Sequence, residues 1–177
     1  MRRESFVHFA FWLSFIVLIS ILKNYLTLDY WPFWVGGLVG TVMPDLDHFI
    51  YVLFLNPHEL TSQRVNFLMK KRDVFRVVSL LHETRYERKN LVFHTFLFQI
   101  IFMAFTFFIV SSSLSMFVRG LVLSFSLHLI VDQLVDIFDM GNLGNWGRII
   151  STDLTKKGSV YYVSASFLLL LLMGILM

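Results

Sequence analysis

Five apolar stretches, each about twenty residues long, constrain the fold of this sequence more than any other feature. They cover residues 5–22, 31–55, 91–110, 114–138 and 160–177. A helix of about twenty residues crosses the roughly 30 Å hydrocarbon core of a bilayer, at a rise of about 1.5 Å per residue. Charged residues make up only 15% of the chain, against about a quarter in soluble domains. The sequence therefore predicts an all-α integral membrane bundle, a single domain with about five transmembrane helices.

The basic residues indicate how the predicted bundle is oriented. Eight of the 15 lie in the polar segment 56–90, and five more lie before the first span or between the last two. Because Lys and Arg are retained on the cytoplasmic side, this distribution predicts a cytoplasmic N-terminus, a cytoplasmic segment 56–90 and an external C-terminus. We expect a multi-pass protein of the cell (inner) membrane, with its basic segment beside anionic lipid headgroups. This placement of the charge gives no reason to expect a nucleic-acid partner.

Histidine and aspartate residues interrupt four of the apolar stretches. A charged side chain inside a membrane costs about 2.5–3.5 kcal/mol on insertion scales, so such residues usually mark functional sites. The residues concerned are His8, Asp45, Asp47, His48, His94, His128, Asp132 and Asp136. In the predicted orientation all of them lie toward the cytoplasmic ends of their helices. Because that orientation was derived from Lys and Arg alone, the convergence is independent support for one shared site.

The fourth stretch carries the strongest local pattern. His128, Asp132 and Asp136 follow one another at intervals of four residues, so one helix face presents an imidazole and two carboxylates. The same spacing serves other helical metal sites. The sequence contains no Cys, so any metal must be held by imidazole and carboxylate groups.

The second stretch is broken by Pro44, close to Asp45. Proline removes a backbone donor, and membranes tolerate irregular backbone only where protein or water surrounds it. Gly36, Gly37 and Gly40 precede the break at spacings that let a neighbouring helix approach closely. These features predict a water-filled pocket that is lined by helices.

The order of these motifs resembles the YdjM-type family of LexA-regulated, membrane-bound metal-dependent hydrolases. The resemblance covers roughly residues 6–146 and implies a membrane metal site used for hydrolysis. The matching features are an early His8, Pro-Asp-Leu-Asp-His at 44–48, His94-Thr95 and His128-Leu-Ile-Val-Asp132.

One family feature is absent from this sequence. Family members carry a further His shortly before the position of His94, where this chain has Glu87-Arg88-Lys89-Asn90. Either one ligand or acid/base group is missing, or His82 or Glu87 replaces it.

Together the patterns predict a hydrolase with one or two divalent metal ions at the cytoplasmic membrane face. Zn²⁺ is the first expectation, with Mn²⁺ and Fe²⁺ as alternatives. Asp136 and His48 are the predicted catalytic residues, which would hold a water or take its proton. The predicted metal ligands are His8, Asp45, Asp47, His94, His128 and Asp132.

The depth of the predicted site suggests a small-molecule or lipid-linked substrate, such as a phosphoester. Two other functions remain open on the sequence alone. His and Asp within spans also mark ion or proton pathways, so the protein could be a transporter or relay. It could equally be a non-catalytic membrane protein with a structural metal site, because both kinds of site use the same ligands.

Overall fold

The computed structural model describes residues 2–88, 91–112, 115–147 and 154–177. These residues form an all-helical bundle, with no strand in the described ranges. Four helical segments are long and apolar enough to cross a membrane, namely Phe6–Lys23, Leu28–Leu55, Met116–Met140 and Lys156–Leu176. Phe96–Ser112 is a shorter apolar helix. The predicted class, a helical membrane bundle, is confirmed. Leu114, where the fourth predicted stretch begins, lies outside the described residues.

The described residues form eight α-helices. In chain order they are α1 Arg2–Lys23, α2 Trp31–Val42, α3 Leu46–Ile50, α4 Leu60–Lys70, α5 Val74–Glu83, α6 Phe96–Ser112, α7 Met116–Met140 and α8 Lys156–Leu176. The second stretch is interrupted at Pro44, as predicted. A 3₁₀ turn covers Met43–Asp45, and α3 continues into a π-helical turn at Tyr51–Leu55. The break therefore places irregular backbone at one end of the bundle.

Helix α7 is the centre of the bundle and packs against α1, α2, α6 and α8. Its closest neighbour is α2, because glycines remove the side chains between the two backbones. A Cβ atom at Gly36 or Gly40 would overlap the backbone carbonyl oxygens of Phe117 and Leu121, and Gly120 has equally little room on the α7 side. The close helix approach predicted from the glycines is confirmed. It places the 3₁₀ turn Met43–Asp45, which follows α2, beside α7.

The polar segment 56–90 contains helical structure that the sequence analysis did not predict. Helices α4 and α5 and the 3₁₀ turn Arg85–Glu87 form a unit over residues 60–88, called here the α4–α5 hairpin. It shares a small core with the π-helical turn, made of Tyr51 and Val52 from the turn and Val65, Val77 and Leu81 from the hairpin. Both helices are too short to cross a membrane, so a search for long apolar stretches does not detect them.

Candidate metal centre

The polar residues of the membrane helices meet around the carboxylate of Asp132 on α7. Its Oδ1 atom lies 3.3 Å from His8 Nε2 on α1. Its Oδ2 atom lies 2.9 Å from His94 Nε2 and 3.2 Å from His128 Nε2. All four side chains are buried. Three imidazoles from separate parts of the chain thus converge on one carboxylate.

His8, His128 and Asp132 form a group that could hold a metal ion. Each offers one ligand atom, and these atoms lie within 4.8 Å of one another. Imidazole and carboxylate ligation of this kind suits Zn²⁺, Mn²⁺ and Fe²⁺. Of the six predicted metal ligands, these three form the compact set.

The orientation of His128 fits a metal ligand. Its Nδ1 atom lies 2.6 Å from the carbonyl oxygen of Thr41, which can only accept a hydrogen bond. Nδ1 therefore carries a hydrogen, which leaves Nε2 as the ring atom for a metal ion or a second proton. Nε2 lies 3.2 Å from Asp132 Oδ2. Two lone pairs this close repel each other unless a cation or a proton lies between them.

Asp47 orients His94 from the side opposite Asp132. Its fully buried carboxylate accepts the backbone N–H groups of Val92 at 3.0 Å and Phe93 at 2.6 Å. Its Oδ2 atom also lies 3.1 Å from His94 Nδ1. A carboxylate behind a histidine fixes the ring and its tautomer in many metal sites. The sequence predicted Asp47 as a metal ligand. In the structure it contacts Nδ1 of His94 and is not part of the group formed by His8, His128 and Asp132.

A cavity of about 330 Å³ is bordered by His8, His128 and Asp132. Asp45 is at its exposed edge, with 59% of its side chain accessible and its Oδ1 atom 3.7 Å from His128 Nε2. The polar lining residues are His8, Asp45, His48, His82, Arg85, His128 and Asp132, with Thr41 beside them. The apolar lining residues are Phe9, Leu38, Val42, Phe49, Val78 and Leu81. The cavity lining is therefore part polar and part apolar.

The two predicted catalytic residues are each held by neighbouring donors. Arg85 contacts Asp136 Oδ1 at 3.1 Å, and Trp146 Nε1 donates to Asp136 Oδ2 at 2.7 Å. Arg88 Nε donates to His48 Nδ1 at 3.0 Å. An imidazole that accepts at Nδ1 carries its hydrogen on Nε2, so His48, which lines the cavity, is a hydrogen-bond donor at Nε2. Asp136 has a donor on each oxygen.

The two arginines of the hairpin are site residues that the sequence analysis did not single out. Arg85 also lies 3.4 Å from Asp132 Oδ1. Arg88 is buried and donates to Thr84 Oγ1 and to the carbonyl oxygen of Leu81. Burial lowers the pKa of Arg88 to about 10, so the guanidinium stays charged at neutral pH. In a segment rich in basic residues neither arginine stands out.

The two candidate replacements for the missing family histidine lie in different places. His82 lines the cavity, whereas Glu87 accepts a hydrogen bond from Thr61 Oγ1 at an exposed position, 2.7 Å away. Of the 6 histidines in the sequence, His58 alone is exposed and lies apart from the site. Histidine is thus concentrated around Asp132.

The fold and the site define a helical membrane protein with a buried His/Asp group that could hold a metal ion. No protein-family model, curated protein or solved structure matches this chain. Its chemistry is therefore inferred from its own residues.

Proposed function

We propose that this protein is a membrane-bound, metal-dependent hydrolase of the YdjM type. The observation that carries the proposal is the orientation of His128, whose Nδ1 donates to the Thr41 carbonyl while its Nε2 lies 3.2 Å from the Asp132 carboxylate. His8 adds a third donor, and the cavity gives a substrate access to the group. A small polar centre at the end of a cavity is the usual arrangement of an active site.

The ligands in this proposal are His8, His128 and Asp132, with His94 as a fourth whose ring is fixed by Asp47. Zn²⁺ is the expected ion, and Mn²⁺ or Fe²⁺ would suit the same donors. A divalent ion held there supplies Lewis-acid activation of water and of the bond to be cleaved. The polar cavity residues must then bind the substrate and move protons.

Two residues suit the proton transfers. Asp45 is an exposed carboxylate 3.7 Å from His128 Nε2, so it can accept a proton from the attacking water. His48 presents an N–H group to the cavity and can donate to the leaving group, because Arg88 holds its other nitrogen. Asp136, with both oxygens held, anchors Arg85 in this scheme.

We further propose that the site faces the cytoplasm of a cell with this protein in its inner membrane. The distribution of the 15 basic residues supports this orientation. A reporter fused within segment 56–90 should read cytoplasmic, and one at Met177 external. The opposite result would leave the metal chemistry intact but reverse the side from which water and substrate arrive.

The test of the proposed function is metal-dependent hydrolysis by the purified protein in detergent. The chelated protein is reloaded with Zn²⁺, Mn²⁺ or Fe²⁺ and assayed with bis(p-nitrophenyl) phosphate and p-nitrophenyl acetate. We expect one of these metals to restore release of p-nitrophenolate, and Asp45→Asn to reduce it by about 10²–10⁴-fold. Bound metal without hydrolysis of either probe would contradict the hydrolase and favour a structural metal site.

A relay is the second candidate, because polar pairs continue from the site into the bundle. Gln99 and Gln133 hydrogen-bond reciprocally at 3.2 and 2.6 Å, and Thr106 pairs with Ser126 at 3.0 Å. Neither pair titrates, so a proton would have to pass through hydroxyl and amide groups. Proton flux into liposomes that depends on Gln133 and not on metal would support the relay over the hydrolase.

A further inference from the structure

The cavity at the metal centre is lined in part by apolar residues of two candidate membrane spans, Phe6–Lys23 and Leu28–Leu55. Phe9 belongs to α1, and Leu38 and Val42 belong to α2. His8 and Thr41, next to Phe9 and Val42 in the sequence, line the same cavity. On both helices, a polar and an apolar residue that line the cavity are therefore adjacent in the sequence.

The same apolar side chains are only partly buried. The exposed fraction is 47% for Phe9, 47% for Leu38 and 58% for Val42. Both helices belong to candidate membrane spans, so the outer surface beside these residues faces hydrocarbon. The cavity is thus lined in part by exposed apolar side chains of two candidate membrane spans.

The size of the cavity limits what can occupy it. A volume of about 330 Å³ is near the lower end of the range for small-molecule pockets, roughly 300–1,000 Å³. It accommodates a polar headgroup and the first few methylene groups of a chain, but not a whole long-chain lipid. The remainder of such a chain would have to lie outside, along the exposed apolar residues of α1 and α2.

We propose that the cavity binds a lipid-linked phosphoester that enters laterally from the bilayer between α1 and α2. Its phosphate lies beside His8, His128 and Asp132, and His48 and His82 also line the cavity. Its chain leaves past Phe9, Leu38 and Val42. The proposal rests on the proposed function for the reaction: water oxygen bonds to phosphorus, the bond from phosphorus to the leaving oxygen breaks, and the leaving alcohol takes up a proton.

The experiment narrows the lateral opening with Leu38→Trp and, separately, with Val42→Trp. The matched control is Val39→Trp, because Val39 is the neighbouring residue of α2, is 39% exposed and does not line the cavity. The probes are hexadecyl p-nitrophenyl phosphate, which carries a long chain, and bis(p-nitrophenyl) phosphate, which does not. The readout is the ratio of kcat/KM for the long-chain probe to kcat/KM for the short probe. Metal content is measured in every variant.

We expect the ratio to fall at least about tenfold in Leu38→Trp and Val42→Trp, which is about 1.4 kcal/mol of lost discrimination. Val39→Trp should keep the wild-type ratio. Equal ratios in all three variants would overturn the proposal and indicate a water-soluble substrate. Two independent variants guard against a folding defect in either one.

A binding measurement separates this proposal from the hydrolase itself. Hexadecyl phosphate should raise the Tm of the wild type and of Val39→Trp in detergent, and Leu38→Trp should need about tenfold more of it for the same rise. Inorganic phosphate at equal concentration tests the headgroup without the chain. If neither p-nitrophenyl probe is hydrolysed but this difference persists, the proposed function fails and the lipid site stands. If hexadecyl phosphate acts equally on all variants, the lipid site fails.

Discussion

The candidate site is built from two regions that differ in how their polar residues are held. The membrane bundle supplies His8, His128 and Asp132 from α1 and α7, which are fixed by close helix packing. The α4–α5 hairpin supplies Arg85 and Arg88 and packs in a small core that it shares with the turn at Tyr51–Leu55. The bundle thus carries the donor set, and the hairpin orients the residues around it.

This difference shows what each region contributes chemically. In the bundle, Asp132 is in direct contact with three imidazoles. In the hairpin, Arg85 reaches Asp132 and Asp136 as a charge partner, and Arg88 fixes the ring of His48. Changes in the bundle should therefore abolish metal binding, whereas changes in the hairpin should weaken activity and leave the metal bound.

The largest effect is expected from Asp132→Asn. The substitution keeps the shape but removes the charge that all three imidazoles face, so metal should no longer bind. In the wild type, metal at a hundredfold excess over Kd should stabilise the fold by about 2.7 kcal/mol, and this increment should vanish in the variant. The measurement is the Tm in detergent with and without chelator.

The control for that substitution is Asp139→Asn, also on α7, because Asp139 hydrogen-bonds Tyr86 at an exposed position. It should retain the wild-type response to chelator. A metal-dependent rise in Tm that persists in Asp132→Asn would show that the metal does not depend on the Asp132 carboxylate.

Arg85→Gln is expected to have the next largest effect. Its guanidinium neutralises the buried carboxylates of Asp132 and Asp136 without offering a ligand atom. Hydrolysis should fall about 10–100-fold, as for other residues that support metal ligands, and metal content should be unchanged. Arg85→Lys should recover part of the activity because it restores the charge. Loss of the metal in Arg85→Gln would show that metal binding depends on the hairpin as well as on the bundle.

A smaller effect separates His82 from Glu87. His82 lines the cavity, so His82→Ala should reduce activity about tenfold. Glu87 contacts Thr61 at an exposed position, and Glu87→Gln should leave both metal affinity and activity within error of the wild type. Kinetics with bis(p-nitrophenyl) phosphate measure both. An effect of Glu87→Gln as large as that of His82→Ala would mean that the hairpin rearranges when substrate binds.

The smallest expected effect concerns the stability of the hairpin alone. Val65 is completely buried in its small core, so Val65→Ala should cost about 1.5 kcal/mol. Hydrogen exchange should accelerate in α4 and α5 and stay unchanged in α7, since separate packing units open separately. Val74→Ala, at a position 69% exposed, is the control. Equal acceleration in α7 would show that hairpin and bundle unfold as one unit.

The same contrast explains what could be predicted from the sequence. Ionisable residues in apolar spans are rare, so His8, His128 and Asp132 were identified without a structure. Asp47 was identified too, but its place behind His94 depends on how the break at Pro44 turns the chain. Arg85 and Arg88 were not identified, because an arginine in a basic segment has no local signature. Their positions follow from the packing of α5, which is a tertiary property.

The long apolar helices were predictable from their length, and Gly36 and Gly40 predicted a closely packed neighbour of α2, but only the structure identifies that neighbour as α7. The hairpin was not predictable from the sequence. It packs against the turn at Tyr51–Leu55, and a contact between two separate segments leaves no pattern in either of them. Orientation in the membrane, the identity of the metal and the resemblance to the YdjM-type family stay predictions.

The central claim is that His8, His128 and Asp132 hold a divalent metal ion. Elemental analysis of the purified, detergent-solubilised protein tests it most directly, with His128→Ala and His58→Ala prepared in parallel. We predict about one ion per chain in the wild type and in His58→Ala, since His58 is exposed and apart from the site, and almost none in His128→Ala. A wild type without metal after loading, or a His128→Ala variant that binds as much as the wild type, would contradict the account.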